Sequence, residues 1–131
     1  MKLSDGPVIP TLAVKDIKQA REFYEGKLGL EPSKDLGDGG VIYKAGKGTA
    51  LLVYPSASAR TNQATYAGFS VDNMQETMKE LSDKGVEFED YDFPGLKTEN
   101  GVATYPGGGK AAWFKDPDGN ILALDEGMSE D

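Results

Sequence analysis

The chain has no His and no Cys among its 131 residues. The available acid–base groups are therefore carboxylates, Lys and Tyr, and both the usual general base and the usual metal ligand are missing. Disulfide and thiolate chemistry are excluded as well. One inferred strand face and the 92–109 loop together hold Tyr54, Tyr66, Glu99, Tyr105 and Asp125. A Tyr beside a carboxylate could polarise a carbonyl or move a proton if burial shifted its pKa. Tyr66, Glu99 and Asp125 are the catalytic candidates, and hydrogen bonding to a ligand is the competing use of the same groups. Trp113, the sole Trp, alternates with Phe114, so one of the two rings faces away from the core. Trp113 is read as a stacking wall for a planar ligand, with ordinary core packing as its alternative role.

Three other segments imitate reactive motifs. Gly46-Lys47-Gly48-Thr49 and Gly107-Gly108-Gly109-Lys110 suggest phosphate loops, but neither has the G-x-x-x-x-G-K-[ST] spacing and both lead into strands. They read as hairpin turns. Asp116-Pro117-Asp118-Gly119-Asn120 lacks the ligand spacing of a calcium loop and reads as a β-turn with Pro and Gly in favoured places.

The elements that position these residues come from a motif that occurs twice. Thr11-Leu-Ala-Val-Lys-Asp-Ile17 precedes an amphipathic stretch ending at Leu28-Gly29. At an offset of 57, Gly68-Phe-Ser-Val-Asp-Asn-Met74 precedes a similar stretch ending at Lys84-Gly85. At an offset of 71, Tyr43-Lys44 and an apolar strand after Gly48 match Phe114-Lys115 and an apolar strand after Gly119. Two copies of one unit tend to place a binding site between them, so the repeat indicates where such a site is built.

The first copy, about residues 7–54, opens with a strand over Val8–Val14, Pro10 suggesting an edge or bulge. Asp16 with Gln19 has capping-box spacing, and Ile17, Ala20, Phe23, Tyr24 and Leu28 form one helical stripe stopped by Gly29. Strands follow over 41–45 and 49–54, giving a β-α-β-β-β unit. Small polar residues over 55–64 read as a linker. The second copy, about 65–125, runs from a strand at 65–71 into a helix capped by Asn73 with Glu76. Val86–Asp90 is predicted as a short strand and 92–109 as a long loop suspected of covering a site. A hairpin of strands over 111–115 and 120–124 closes the copy. The chain turns acidic from Asp125, and this tail, 126–131, is expected to fray.

Strand parity separates two faces. Leu12, Val14, Leu51, Val53, Phe69, Val71, Leu122 and Leu124 share one parity and belong under the two helices. The opposite parity holds Ile9, Thr11, Ala13, Ala50, Leu52, Tyr54, Tyr66, Gly68, Ser70, Ile121, Ala123 and Asp125. These smaller, mixed residues suit a partly wet pocket, or alternatively a subunit contact or a solvent face.

Composition sets the limits. The length suits a single domain with a sizeable core. A net charge of −8 argues against nucleic-acid binding, which depends on Lys and Arg at phosphates. It would mildly favour cationic ligands. No apolar run approaches a membrane span, and Met-Lys-Leu-Ser-Asp-Gly has no signal-peptide apolar region, so a cytoplasmic location is expected.

The paired β-α-β-β-β units resemble the vicinal oxygen chelate superfamily, which contains glyoxalase I, extradiol dioxygenases, fosfomycin-modifying enzymes and bleomycin-resistance proteins. Val14-Lys15-Asp16 with Phe23-Tyr24 and Leu28-Gly29, and Phe114-Lys115-Asp116-Pro117-Asp118-Gly119-Asn120, carry the resemblance over about residues 7–125. It implies an α+β fold in which two tandem units form a curved mixed sheet, a cup, with helices on the convex face. It also implies a homodimer. In metal-using members the ligands come from the first and last strands of each unit. Carried over, those positions are Ile9, Leu52, Tyr66 and Ala123. Three cannot bind a metal and Tyr alone is a poor ligand, so no metal and no cofactor are expected. The leading reading is therefore a metal-free protein of this superfamily that binds a small hydrophobic or aromatic molecule in its cup through Ile9, Thr11, Leu52, Tyr54, Tyr66, Trp113, Ala123 and Tyr105. One alternative is a metal-independent lyase or isomerase using Tyr66 with a carboxylate. Another is a dimeric interaction protein whose cup is filled by its own side chains.

Overall fold

A computed structural model of the chain describes residues 2–5, 8–61 and 64–127. They fold as two compact units, Met1–Asn62 and Gln63–Asp131. Unit one contains β1 (Thr11–Val14), α1 (Ile17–Arg21), a π-helical continuation (Glu22–Lys27), β2 (Glu31–Asp35), β3 (Val41–Lys44) and β4 (Ala50–Pro55). Its sheet has the order β1-β4-β3-β2, with β1 parallel to β4 and the other pairs antiparallel. Unit two contains β5 (Thr65–Ser70), α2 (Met74–Asp83), the short strands β6 (Asp92–Phe93), β7 (Leu96–Lys97) and β8 (Ala103–Thr104), then β9 (Lys110–Lys115) and β10 (Ile121–Glu126). Its main sheet has the order β5-β10-β9-β8, again with the first pair parallel, and β6 and β7 form a separate ribbon. The class is α+β, with the β-α-β-β-β topology occurring in tandem.

The repeat extends to the hydrogen-bond register. Thr11, Leu12 and Ala13 stand opposite Leu52, Val53 and Tyr54 in unit one. Gly68, Phe69 and Ser70 stand opposite Ala123, Leu124 and Asp125 in unit two. Ile42 faces Leu52 as Trp113 faces Ala123. These are the pairs generated by offsets of 57 on the first strand and 71 on the last two. A one-residue slip would send every side chain to the other face, so the agreement fixes which residues share a face.

Each core lies between sheet and helix. In unit one, Leu12, Val14, Val41, Tyr43, Leu51 and Val53 are buried with Ala20, Phe23 and Tyr24. Asp16 caps α1, its carboxylate accepting from the backbone of Lys18 and Gln19 at 2.9 and 3.3 Å. In unit two, Leu122, Leu124, Ala112 and Phe114 are buried with Met74, and Asn73 caps α2 by accepting from Glu76 N at 3.0 Å. Gly101, at φ +81°, lets the backbone pass beneath Met78 and Phe88, each 3.3 Å from where a Cβ would stand.

Several boundaries differ from those read in the sequence. Strand β1 starts at Thr11 because Pro10 has no N–H to donate. The Pro10 carbonyl still accepts from Leu52 N at 2.9 Å, while Ile9 lies ahead of the strand and is 38% exposed. The expected single α-helix widens after Arg21 into π geometry, with Leu28 N donating to Phe23 O at 3.0 Å. Strand β2 gave no sequence signal because Glu31-Pro32-Ser33-Lys34-Asp35 is an exposed, polar edge. Val86–Asp90 pairs with β9 through a bridge at Phe88 to Phe114 and a bond from Glu89 N to Trp113 O at 2.8 Å, rather than as a full strand. The 92–109 segment is organised as the β6–β7 ribbon and β8 rather than as an open loop. Pro55, expected to begin a linker, ends β4. Glu126, expected to fray, belongs with Asp125 to β10, and its carboxylate accepts from Met74 N at 2.8 Å. Of the tail, 128–131 lies outside the described residues.

Candidate functional site

On the helix-free face of unit two, the register lines up three short rows. Strand β5 contributes Gly68 and Ser70, β10 contributes Ala123 and Asp125, and β9 contributes Ala111 and Trp113. Gly68, Ala123 and Ala111 carry at most one side-chain carbon each and form a floor of small residues, with Gly68 exposed and the two alanines buried beside their larger neighbours. Trp113 and Asp125 are diagonal cross-strand neighbours over it, a relation that places their backbones about 7–8 Å apart. Ser70 Oγ donates to Asp125 Oδ1 at 2.8 Å. The other carboxylate oxygen lies over Gly68, 3.2 Å from where a Cβ would stand. Gly68 therefore leaves the room that this carboxylate occupies.

An aromatic array stands on the Trp113 side. Phe114 points to the helix side, 1% exposed and edge-on to Phe88 at 5.7 Å between ring centres. Trp113, its neighbour in the alternating strand, takes the other face and is half-buried. Tyr91 meets it edge-to-face at 5.6 Å and 73°, and Phe93 at the ribbon tip contacts Tyr91 at 5.8 Å. Phe93 is 53% exposed. Burial raises the Tyr91 hydroxyl pKa, the nearby Glu89 adds to the rise, and Lys115 opposes it.

A polar clasp sets where Tyr91 sits. Thr98 Oγ1 donates to Asp90 Oδ1 at 2.7 Å and accepts from Tyr91 N at 2.8 Å. Asp90 Oδ1 also accepts from Gly101 N at 2.8 Å. Thr98 is buried in this clasp. Sequence reasoning missed Tyr91 and Phe93, because they belong to a Gly/Pro-punctuated stretch with no periodicity to read. The Asp90–Thr98 pairing, which could have flagged them, spans eight residues and matches no local capping motif.

The remaining predicted site residues are less concentrated. Tyr66 lies on β5 at a register shift opposite Ile121–Leu122 and is half-buried. Its hydroxyl makes no hydrogen bond among the described residues. Asp125 is at the far end of the same strand pair, four residues along β10 from Ile121, or about 13 Å of strand. Glu99 is exposed in a turn closed by its own backbone bonds to Val102. Tyr105 opens the turn to Gly109, with a backbone bond of 2.7 Å. Tyr66, Glu99 and Asp125 are not joined by any hydrogen bond. In unit one, Thr11 is exposed, and Leu52 and Tyr54 are half-buried on the helix-free face.

The four positions expected from the resemblance to correspond to metal ligands carry Ile9, Leu52, Tyr66 and Ala123. Aliphatic side chains have no donor atoms, so this set does not fit a divalent ion. Among the described residues no group of three or more carboxylates could hold one elsewhere. The Asp116 turn is structural. Asp116 Oδ1 accepts from Asp118 N and Asn120 N at 2.9 and 2.8 Å, and Oδ2 accepts from the Asn120 side chain at 2.8 Å.

A profile of the Glyoxalase/Bleomycin resistance protein/Dioxygenase superfamily matches residues 8–124. The chain belongs to this superfamily. No curated protein sequence matched it. Among solved structures it is similar to a glyoxalase/bleomycin resistance protein from Catenulispora acidiphila, with a TM-score of 0.69 and 21% identity, covering 92% of this chain and 96% of that one. It is similar to lactoylglutathione lyase from Agrobacterium tumefaciens, with a TM-score of 0.70 and 20% identity, covering 93% of each chain. TnmS3, an antibiotic binding protein from Streptomyces, gives a TM-score of 0.64 and 20% identity, covering 92% of this chain and 94% of that one. At such identities the likeness shows the superfamily fold alone. No helix among the described residues is long and apolar enough to cross a membrane.

Proposed function

We propose that this superfamily member binds a small, partly aromatic molecule without a metal, against the helix-free face of its second unit. The carrying observation is the Trp113–Tyr91–Phe93 array, in which Trp113 stands opposite Ala123 and the outermost ring, Phe93, is more than half exposed. Exposed rings over small residues supply flat apolar area and edge-to-face geometry for a planar ligand. The donor-poor metal positions favour binding over the metal-assisted reactions of relatives. That an antibiotic binding protein shares the fold makes a drug-like ligand a reasonable class to screen. The lyase alternative is weaker, because Tyr66 has no carboxylate partner among the described residues.

A thermal-shift screen of metabolites and antibiotics, followed by Trp113 fluorescence titration with EDTA present, tests this reading. Saturable quenching without turnover is expected. One stoichiometric divalent ion per purified chain, or binding abolished by chelator, overturns the metal-free part. Consumption of the ligand would favour the lyase reading instead. The homodimer implied by the resemblance belongs to the proposal and is read by sedimentation velocity.

A further inference from the structure

Asp125 is the one charged side chain on the small-residue floor, and its environment is unusual for a surface carboxylate. Ser70 Oγ holds Oδ1 from one side. Oδ2 accepts nothing from any described residue and is directed over Gly68, where the missing side chain leaves it room. Asp125 also makes no ion pair among the described residues. The lysines of the adjacent strand β9 are otherwise engaged: Lys115 lies 3.4 Å from Glu89, and Lys110 lies 4.0 Å from Glu126. Ala123 and Ala111 beside it offer no donors. The face therefore carries one uncompensated negative charge, on a chain whose net charge is −8.

We infer that the ligand of this face is a cationic aromatic amine, its ring stacked at Trp113 and its protonated nitrogen bound to Asp125. The inference rests on the binding role proposed above and adds the ligand's charge. The 7–8 Å typical of diagonal cross-strand neighbours is spanned by a ring and an amine joined through a short alkyl link. Ser70 fixes the carboxylate before the ligand arrives, so little freedom is lost on binding. A charge-assisted hydrogen bond from an ammonium to an oriented carboxylate is among the stronger single contacts available to a small ligand.

The test uses three probes with one ring system: naphthylethylamine, naphthylethanol and naphthylacetate, which are cationic, neutral and anionic at pH 7. The indole N–H resonance of Trp113 reports the site, since the chain has one Trp. The amine is expected to bind about tenfold more tightly than the alcohol, the scale of one such contact in partly exposed surroundings. The acetate should bind more weakly than the alcohol. Asp125→Asn, nearly isosteric, should bring the amine's affinity down to about that of the alcohol, erasing its advantage. Gly68→Ala should erode the advantage by displacing the carboxylate while keeping its charge. Equal affinity for all three probes in the native protein overturns the inference but leaves planar-ligand binding standing. An amine preference that survives Asp125→Asn also overturns it. No Trp113 shift with any probe at millimolar concentration removes the binding role itself, and the inference with it.

Discussion

At equivalent places on their helix-free faces, the first sheet carries Thr11, Ile42, Leu52 and Tyr54, and the second carries Gly68, Trp113, Ala123 and Asp125. The backbones pair in the same register, so the difference lies in the side chains alone. Unit one presents branched aliphatics and a phenol. Unit two removes bulk at two positions, leaving Gly68 exposed and Ala123 buried, and places an indole and a carboxylate at the edges. The helix sides differ as well. Tyr43 and Phe114 are equivalent and wholly buried. Tyr43 stacks on Tyr24 at 5.9 Å and donates to Glu25 at 2.8 Å, whereas Phe114 has a ring partner and no hydroxyl. One backbone thus carries a polar underside with an aliphatic face, and an apolar underside with a polar, aromatic face.

The largest expected effect tests the undersides. Phe114→Ala removes a buried ring beside Phe88 and leaves a cavity, costing about 3–5 kcal/mol. Circular-dichroism melts should show the midpoint falling by about 10–20 °C. Tyr43→Phe keeps the ring and loses one hydroxyl whose partner, Glu25, is still held by Arg21 at 2.7 Å. It should cost only about 1 kcal/mol at neutral pH. Equal losses in the two variants would mean that the units do not divide their core energetics as their contacts suggest.

The next effect tests the faces. Trp113→Ala should weaken naphthylethylamine binding about tenfold or more, since both stacking area and ring geometry are lost. Ile42→Ala, at the matching place in unit one, should change it by less than about twofold, a difference that isothermal titration calorimetry resolves. Comparable losses would place the ligand against unit one as much as unit two, and the assignment to one face would fail.

How much of this was legible follows from where periodicity exists. Alternation assigned Leu12, Val53, Phe69 and Leu124 to one side and Leu52 and Ala123 to the other, and the register bears this out. The same alternation separates Trp113 from Phe114. Capping by Asp16 and Asn73 was readable because a side-chain acceptor reaches only two or three residues ahead. Strand β2 was illegible because an exposed edge has no buried face to impose alternation. Tyr91 and Phe93 were hidden for a related reason: a two-residue ribbon held by Thr98 and Asp90 leaves no repeating pattern. Asp125 was readable as a face residue, yet acidity alone made the end of β10 resemble a tail.

A smaller effect separates the undersides by pH. The Tyr43 hydroxyl is raised well above its ordinary value of 10.0, first by burial and then by its bond to Glu25. The fold thus favours its protonated form. The associated stability is complete below pH 10 and declines as pH rises toward the folded value, by about 1.4 kcal/mol per pH unit for one proton. In urea titrations between pH 9 and roughly 11, native protein should lose stability faster than Tyr43→Phe. Tyr91 is raised too, but it is present in both proteins and cancels in the difference. Parallel pH profiles would show that the Tyr43 hydroxyl is not held by the fold as its contacts indicate.

The smallest expected effect is none, and it concerns positions at which the two units agree. Ile9 and Tyr66 are equivalent at the offset of 57, and Leu52 and Ala123 at the offset of 71. Neither unit carries a carboxylate or imidazole at these paired places, and the one polar side chain there is the Tyr66 phenol. Nickel, zinc or manganese added at ten times the protein concentration should therefore leave the melting midpoint within about 1 °C. A ligand at a hundred times its Kd would contribute about 2.7 kcal/mol, which such a melt would register easily. A metal-dependent rise abolished by Tyr66→Phe would reveal a site built around the phenol, and the agreement between the units would then conceal a functional difference. A flat response leaves the contrast between the faces to Trp113 and Asp125, residues outside the paired metal positions.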